Sequence, residues 1–248
     1  MPSRARSIQN IFDRKFVAHL FDEMSKTYGL VNFIASFGFC ERWRRQCVKN
    51  VKIKPDDFVV DYMTGMGEIF ELIRKQGPRS ASLVGLDFSP VMCAKAKAQL
   101  DRSKLEGRIL EEDALASSLE SDSVDVVTAA FGLKTFSMEQ TEQFSKELFR
   151  VLKPGAKFSL IEISVPKFSL LKIPYMLYLK VFIPMIGALF MGNSDNYRML
   201  GVYTELFESC EKVAPLFRSA GLKVEVKIYF FGCMSALVGF KPLIESHK

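Results

Sequence analysis

Histidine is nearly missing from this chain of 248 residues: His19 and His247 are the only two, and they stand near opposite ends. Imidazole is the commonest metal ligand among the side chains, so no metal centre is expected. The five cysteines, Cys40, Cys47, Cys93, Cys210 and Cys233, are odd in number and form no Cys-x-x-Cys pair. Buried thiols in a reducing cytoplasm are the plain reading, and a disulfide framework is not expected. Neither sign of charge dominates: 34 Lys+Arg against 28 Asp+Glu leave +6, a slight preference for anionic surfaces and no indication of nucleic acid. The first ten residues are polar and basic with no apolar core behind them, so no secretory leader is expected. What remains, 48% hydrophobic and 25% charged, suits one large folded α/β domain over residues 1–248.

Phosphate-binding signatures are lacking as well. Residues 58–68 read Phe-Val-Val-Asp-Tyr-Met-Thr-Gly-Met-Gly-Glu: a short buried strand, an acid, two alternating glycines, and a helical pattern from Glu68. A dinucleotide turn wants Gly-x-Gly-x-x-Gly, but after Gly65 and Gly67 the third position holds Phe70. No Gly-Lys-Ser/Thr ending follows either. Asp61 precedes the glycines, where it repels phosphate and attracts a cation. The second strand, residues 82–87, ends in Asp87, placed for the two hydroxyls of a ribose. An amino-acid-bearing sulfonium fits this pair, with its ammonium on Asp61 and its ribose on Asp87, so the expected cofactor is S-adenosylmethionine. Thr64, Gly65 and Gly67 of the turn and Phe88 beside the second acid belong to the same candidate site. So do Asp113 and Ala114 after the third strand, facing adenine, and Phe131 at the end of the fourth; for Asp113-Ala114 a plain surface turn is the alternative.

Strands and helices then alternate at short intervals, which implies a parallel sheet with ligands at its carboxyl edge. Ser89-Pro90 opens one helix and Ser137 with Gln140 another. Pro154-Gly155 stops the second, and a fifth strand is expected over 157–163. Residues 168–191 are almost wholly apolar and long enough to span a bilayer. Lys172, Lys180, Pro174 and Pro184 argue against that, because charge and a broken helix would both have to be accommodated. A helical cap, within residues 164–207, that lines an apolar pocket or rests on a membrane is expected instead. A helix over 210–220 and two strands, 224–231 and 234–240, turned by Gly232-Cys233, close the chain. Before the first strand, residues 1–54 hold helices expected to cover the sheet edge as a lid. One of them carries Trp43 as a packing anchor among Arg42, Arg44 and Arg45, a basic group read as a solvated face able to touch anionic lipid.

With these residues laid out, the chain resembles the UbiE-type C-methyltransferases of ubiquinone and menaquinone biosynthesis. The likeness runs through Lys26-Thr27-Tyr28, Asn32, Ser36-Phe37-Gly38, Trp43 and 61–68. It continues through Phe131-Gly132-Leu133, Arg150 to Gly155, Pro184-Met185-Ile186-Gly187 and Asn196-Tyr197-Arg198-Met199-Leu200. The resemblance implies a Rossmann-like class I methyltransferase sheet of seven strands, the last antiparallel, and methyl transfer to a ring carbon of a lipophilic quinol. It implies a cytoplasmic enzyme, with peripheral contact with anionic membrane as a further expectation. The chain departs from the family where Met63, Thr64, Met66 and Glu68 replace Ala, Gly, Thr and Asp, and where Lys134-Thr135 replaces Arg-Asn. It departs again at Val202-Tyr203-Thr204-Glu205. Another phenolic, polyketide or lipid acceptor, or cofactor binding without transfer, therefore stays open. Lys134 is the cation expected to stabilise an ionised acceptor hydroxyl, with a solvent-facing lysine as the alternative. Tyr197 and Arg198 are the candidates for holding a polar head group.

Overall fold

The computed structural model describes residues 11–25, 33–34, 36–77, 81–189 and 194–243. The expected motif residues Lys26, Thr27, Tyr28 and Asn32, the end of the apolar run at 190–191, and His247 lie outside them. Two helices come first, α1 (Arg14–Met24) and α2 (Phe39–Asn50). They are followed by β1 (Phe58–Tyr62), α3 (Phe70–Gln76), β2 (Ser82–Asp87), α4 (Pro90–Ser103), β3 (Gly107–Glu111) and β4 (Val124–Ala130). Then come α5 (Met138–Val151), β5 (Leu152–Ile163), α6 (Ser169–Leu177), α7 (Ile183–Leu189), α8 (Ser194–Phe207), α9 (Cys210–Ser219), β6 (Lys223–Tyr229) and β7 (Met234–Phe240).

The strands form one seven-stranded sheet in the order β3-β2-β1-β4-β5-β7-β6. β1 to β5 run parallel, and β7 lies antiparallel between β5 and β6, as the resemblance implies. Strand order reverses between β1 and β4, and ligands of such sheets gather outside the carboxyl ends at that crevice. β1, β2 and β4 are buried almost throughout, which their runs of Val, Leu and Ala require of strands covered on both faces. One side of the sheet packs Tyr62, Phe144, Phe158 and Phe217 around α5 and α9, with the Tyr62 and Phe144 rings edge-on at 5.4 Å. The other side packs Val59, Phe70, Ile73 and Cys47 beneath α2 and α3. All five cysteines are unpaired and buried.

Local signals fix most boundaries. Ser89 caps α4 through its hydroxyl, with Pro90 at the first helical position, and Ser137 and Gln140 form a reciprocal capping box on α5. Three boundaries differ from expectation. α3 starts at Phe70 rather than Glu68, because Gly65 and Gly67 take positive φ and the chain is still turning. β5 starts at Leu152, which pairs with Val124 before a register shift lets Pro154-Gly155 pass. β6 ends at Tyr229, and Phe230 and Phe231 form a tight turn, both with positive φ.

The apolar run is not broken at its prolines. α6 and α7 join through a wider π turn (Tyr178–Phe182), in which the Ile183 amide reaches the Tyr178 carbonyl five residues back. That extra residue accommodates Pro184, which has no amide to donate and whose ring would crowd the carbonyl of an ordinary helical turn. The resulting helix, Ser169–Leu189, is long and apolar enough by length and composition to cross a membrane. It buries Met176, Leu179, Pro184 and Gly187 and leaves Leu170, Ile173, Leu177, Phe182, Met185 and Leu189 exposed.

The ends of β4 and β5 are joined by a sealed ion pair. Lys134, in the turn after β4, places Nζ 2.9 Å from Glu162 Oε1, with the side chains 2% and 0% exposed. Glu162 also accepts the amides of Lys134 and Ile163. Removing one partner of such a pair strands the other charge in the interior. Lys134→Met is therefore expected to lower unfolding free energy by about 3–5 kcal/mol in urea titration. Lys134→Met with Glu162→Gln, which leaves no buried charge but offers one oxygen where two amides were accepted, should recover part of the loss. Unchanged stability in the single variant would refute this role.

Candidate active site

The site grows from the end of β1. Asp61 is 3% exposed, and its carboxylate accepts the hydroxyls of Thr64 at 2.6 Å and Thr128 at 2.7 Å. The threonine that replaces a family glycine therefore anchors the acid. The chain turns at once, Met63 at φ 52° and Gly65 at 58°, and the Thr64 amide bonds to the Leu86 carbonyl of β2. At Gly67, φ is 78° and a Cβ would come within 2.5 Å of the Phe70 ring, so only glycine lets α3 close onto this turn. Asp87, at the tip of β2, accepts the Gly65 amide at 2.9 Å and the Ser89 amide at 3.0 Å. The two acids thus stand on either side of the glycine turn and shape it.

A cavity opens at this crevice. Of the nine residues expected at the cofactor, Asp61, Thr64, Gly65, Asp87, Phe88, Ala114 and Phe131 line it. Gly67 and Asp113 do not. Gly67 acts on the turn from behind, and Asp113 is turned to the Leu115 amide at 2.9 Å and towards Arg14 at 3.7 Å. Its neighbour Glu112 lines the cavity instead, with both carboxylate oxygens bonded to Ser118.

The three residues expected to act on the acceptor lie elsewhere. Lys134 is enclosed with Glu162, behind the Phe131 ring, 5.9 Å from its centroid. Tyr197 is fully buried among Val17, Leu20 and Met24 of α1, with its ring against Gly187, where a Cβ would be 2.3 Å away. Arg198 is exposed on α8. Conversely, sequence reading passed over Val17 and Phe21 of α1, Arg44 of α2, and Glu68, all in the lining. Arg44 sits among the arginines read as a solvated face, yet its side chain is only 12% exposed and bonds to Glu68 at 3.0 Å. The helical spacing of Val17 and Phe21 was the available signal for α1. Among the described residues, none of the apolar helix α6–α7 is in the lining of this cavity.

Burial dominates the electrostatics. It pushes the Asp61 carboxyl from 3.8 up to about 7, against the opposing hydroxyl hydrogen bonds, and Asp87 up to about 6. Four acids, Asp61, Glu68, Asp87 and Glu112, and one cation, Arg44, line the cavity among the described residues. That set rejects a phosphate chain and suits a cationic amino acid joined to a ribose, with Phe88, Met92, Leu86 and Ala114 as apolar walls for a base. S-adenosylmethionine fits these residues.

A family model described as the ubiE/COQ5 methyltransferase family matches residues 8–241. The chain belongs to this family. Among its relatives is a demethylmenaquinone methyltransferase of Thermus thermophilus, 34% identical across 90% of this chain and 100% of that one. A ubiquinone/menaquinone biosynthesis C-methyltransferase of Geotalea daltonii is 35% identical across 84% of this chain and 88% of its own. Similar solved structures include a SAM-dependent methyltransferase from Aquifex aeolicus, at TM-score 0.56 and 20% identity, covering 79% of this chain and 88% of its own. The [4+2]-cyclase SpnF reaches TM-score 0.67 at 12% identity over 92% and 96%. These structures share the fold. As a ubiE/COQ5-family methyltransferase, the enzyme uses S-adenosylmethionine.

Asp61 gives the site a pH dependence whose sign can be worked out. Between about 3.8 and 7 the folded protein holds a proton here that the unfolded chain releases. The ligand-free protein therefore loses stability from this group as pH rises through that window. A bound ammonium needs the ionised form, so cofactor affinity should rise with pH and level off above about 7. Below that it should fall by up to about tenfold per pH unit. Isothermal calorimetry from pH 6.5 to 8.5 checks this, and Asp61→Asn should flatten the profile over that range, leaving the fall that Asp87 gives near pH 6. An Asp61→Asn profile matching the unaltered one would remove Asp61 from the ammonium.

Proposed function

We propose that this enzyme transfers the methyl group of S-adenosylmethionine to a ring carbon of a lipophilic quinol of the demethylmenaquinol type. One observation carries the reading: a relative named for that activity is matched along its whole length at 34% identity. The cavity is compatible with it. The cofactor supplies an electrophilic methyl on a sulfonium, and the protein's task is alignment and exclusion of water. In this reading Asp87 holds the ribose hydroxyls, Asp61 the ammonium, and Phe88 and Ala114 flank the base. The glycine turn sets the sulfonium against the crevice between β1 and β4. Val17 and Phe21, from α1, exclude water from above.

The acceptor's tail calls for contact with an apolar surface, and one lies over α6 and the 230–232 turn. Leu170, Ile173 and Leu177 are exposed on α6, and Tyr175 Oη bonds to the Cys233 carbonyl beside the 230–232 turn. There Phe231 is 81% exposed, while the Phe230 ring meets Phe39 of α2 at 4.9 Å. Exposed Arg42 lies one helical turn from Phe39. This apolar surface with a basic flank is the membrane contact we assign, with helix Ser169–Leu189 lying on the bilayer rather than across it. Its inner face is already committed to α8, and Lys180 pairs with Glu205 of that helix. In this reading exposed Arg198 and Lys172 meet anionic head groups.

Two measurements test the reading. Incubation with methyl-labelled cofactor and a short-tailed demethylmenaquinol should yield the ring-methylated product by mass spectrometry. Transfer to other phenols in its place would move the acceptor, and cofactor binding without any transfer would remove the activity. Flotation with phosphatidylglycerol vesicles should recover the protein at low salt and less at high salt. Ile173→Glu with Phe231→Glu should leave it in the soluble fraction, and equal flotation of that variant would clear the apolar surface of this role.

A further inference from the structure

A ring carbon becomes nucleophilic when the neighbouring hydroxyl ionises, and a phenolate beside four carboxylates needs a cation to hold it. Lys134 does not reach the cavity, being closed in with Glu162. Arg44 does. Its guanidinium carbon lies 5.5 Å from the centroid of the Phe131 ring, at the end of β4, and it is the one cation in the lining among the described residues. It also lines a second, more open cavity between α2 and α4, and Glu68 is the other described residue common to both walls. The Arg44–Glu68 pair therefore stands where the cofactor cavity meets the open space beside it.

We infer that Arg44 is a catalytic residue that binds the ionised acceptor oxygen, and that Glu68 is the positioning residue that ties it to the cofactor turn. The inference rests on the methyl-transfer reading above. Glu68 uses one carboxylate oxygen for Arg44, at 3.0 Å, and the other for the Met66 amide, at 3.1 Å. Met66 lies between Gly65 and Gly67, so the backbone that carries the cofactor also orients the guanidinium. The aspartate usual in the family is one methylene shorter, and glutamate here spans from the turn to α2. Around Arg44 stand Glu41 on its own helix at 3.9 Å, Glu68, Asp61 of β1, and the Cys40 thiol, with Lys134 also acting on Cys40. A guanidinium keeps its proton throughout the working range, so Arg44 stabilises charge and does not act as a base.

The step balances as follows. The acceptor hydroxyl releases its proton to water, leaving a phenolate against Arg44. The ring carbon donates its electron pair to the methyl carbon as the sulfur–methyl bond breaks, and sulfur keeps that bond's pair as a neutral thioether. The methylated ring is then a neutral ketone form. It loses its ring hydrogen to water and takes a proton on oxygen, so one proton is released overall.

The test uses the full chain with S-adenosylhomocysteine and 1-naphthol, whose ionisation is read by absorbance, and separately with S-adenosylmethionine and demethylmenaquinol. In the unaltered protein the bound naphthol should ionise at lower pH than free naphthol. Arg44→Met should return it to the free value, and Arg44→Lys should hold it between. Turnover of Arg44→Met at saturating cofactor should fall about 10²-fold at pH 7, with the deficit shrinking as pH rises. Glu68→Gln, which keeps the shape and removes the charge, should lower turnover less. Thermal melts establish which variants fold; where Arg44→Met does not, Arg44→Gln takes its place. Wild-type turnover and naphthol ionisation in a folded Arg44 variant would overturn the inference and leave the reaction standing. Naphthol ionisation that depends on Arg44, without transfer to demethylmenaquinol, would support it and fault only the choice of acceptor.

Discussion

The rest of the site depends on a carboxylate held in the middle of a parallel sheet. Asp61 is almost wholly withdrawn from water, and such a group persists only if its lone pairs are met. Two threonine hydroxyls meet them, one from β4 and one from the turn that follows β1. These contacts hold β4 beside β1 at the crevice and bring the backbone around tightly enough for Gly65 to reach Asp87. Because hydroxyls rather than cations do the holding, the negative character of the site is left for a ligand to use. The geometry is therefore set before anything binds, which is what an alignment-driven reaction requires.

Two ion pairs flank the Phe131 ring, and they differ in what surrounds them. Lys134 and Glu162 are closed off, saturated by backbone amides and a carbonyl, and join strand ends. Arg44 and Glu68 border open space and share their hydrogen bonds with the cofactor turn. The first pair is closed architecture and the second borders the cavity. Phe131 separates them while keeping a positive φ at the strand's end, a conformation found where the surrounding structure imposes it.

Much of this was legible in the sequence. A strand ending in Asp61, glycines at 65 and 67, and a second strand ending in Asp87 locate the crevice, because that chemistry is local and its spacing is fixed by β geometry. What was not legible depends on partners far along the chain. Lys134 is separated from Glu162 by 28 positions, so nothing near it announces an ion pair. Arg42, Arg44 and Arg45 look alike in a row, and only packing on the sheet turns the middle one inward. Asp113 carried the expected residue type, but its side chain closes its own turn while Glu112 faces the cavity. Pro174 and Pro184 read as helix breaks, and a π turn accommodated the second without one.

The turn at Phe230 and Phe231 has a consequence for how this protein can change. Both residues adopt left-handed backbone, at φ 46° and 55°, where side chains beyond glycine and asparagine are disfavoured by roughly 1–2 kcal/mol each. Substitutions chosen for heat tolerance alone would place glycine or asparagine here and gain from it. They would also erase Phe231, which is 81% exposed. Lineages of this enzyme under thermal selection face a conflict at two adjacent codons, with robustness of the fold favouring one answer and display of the rings the other.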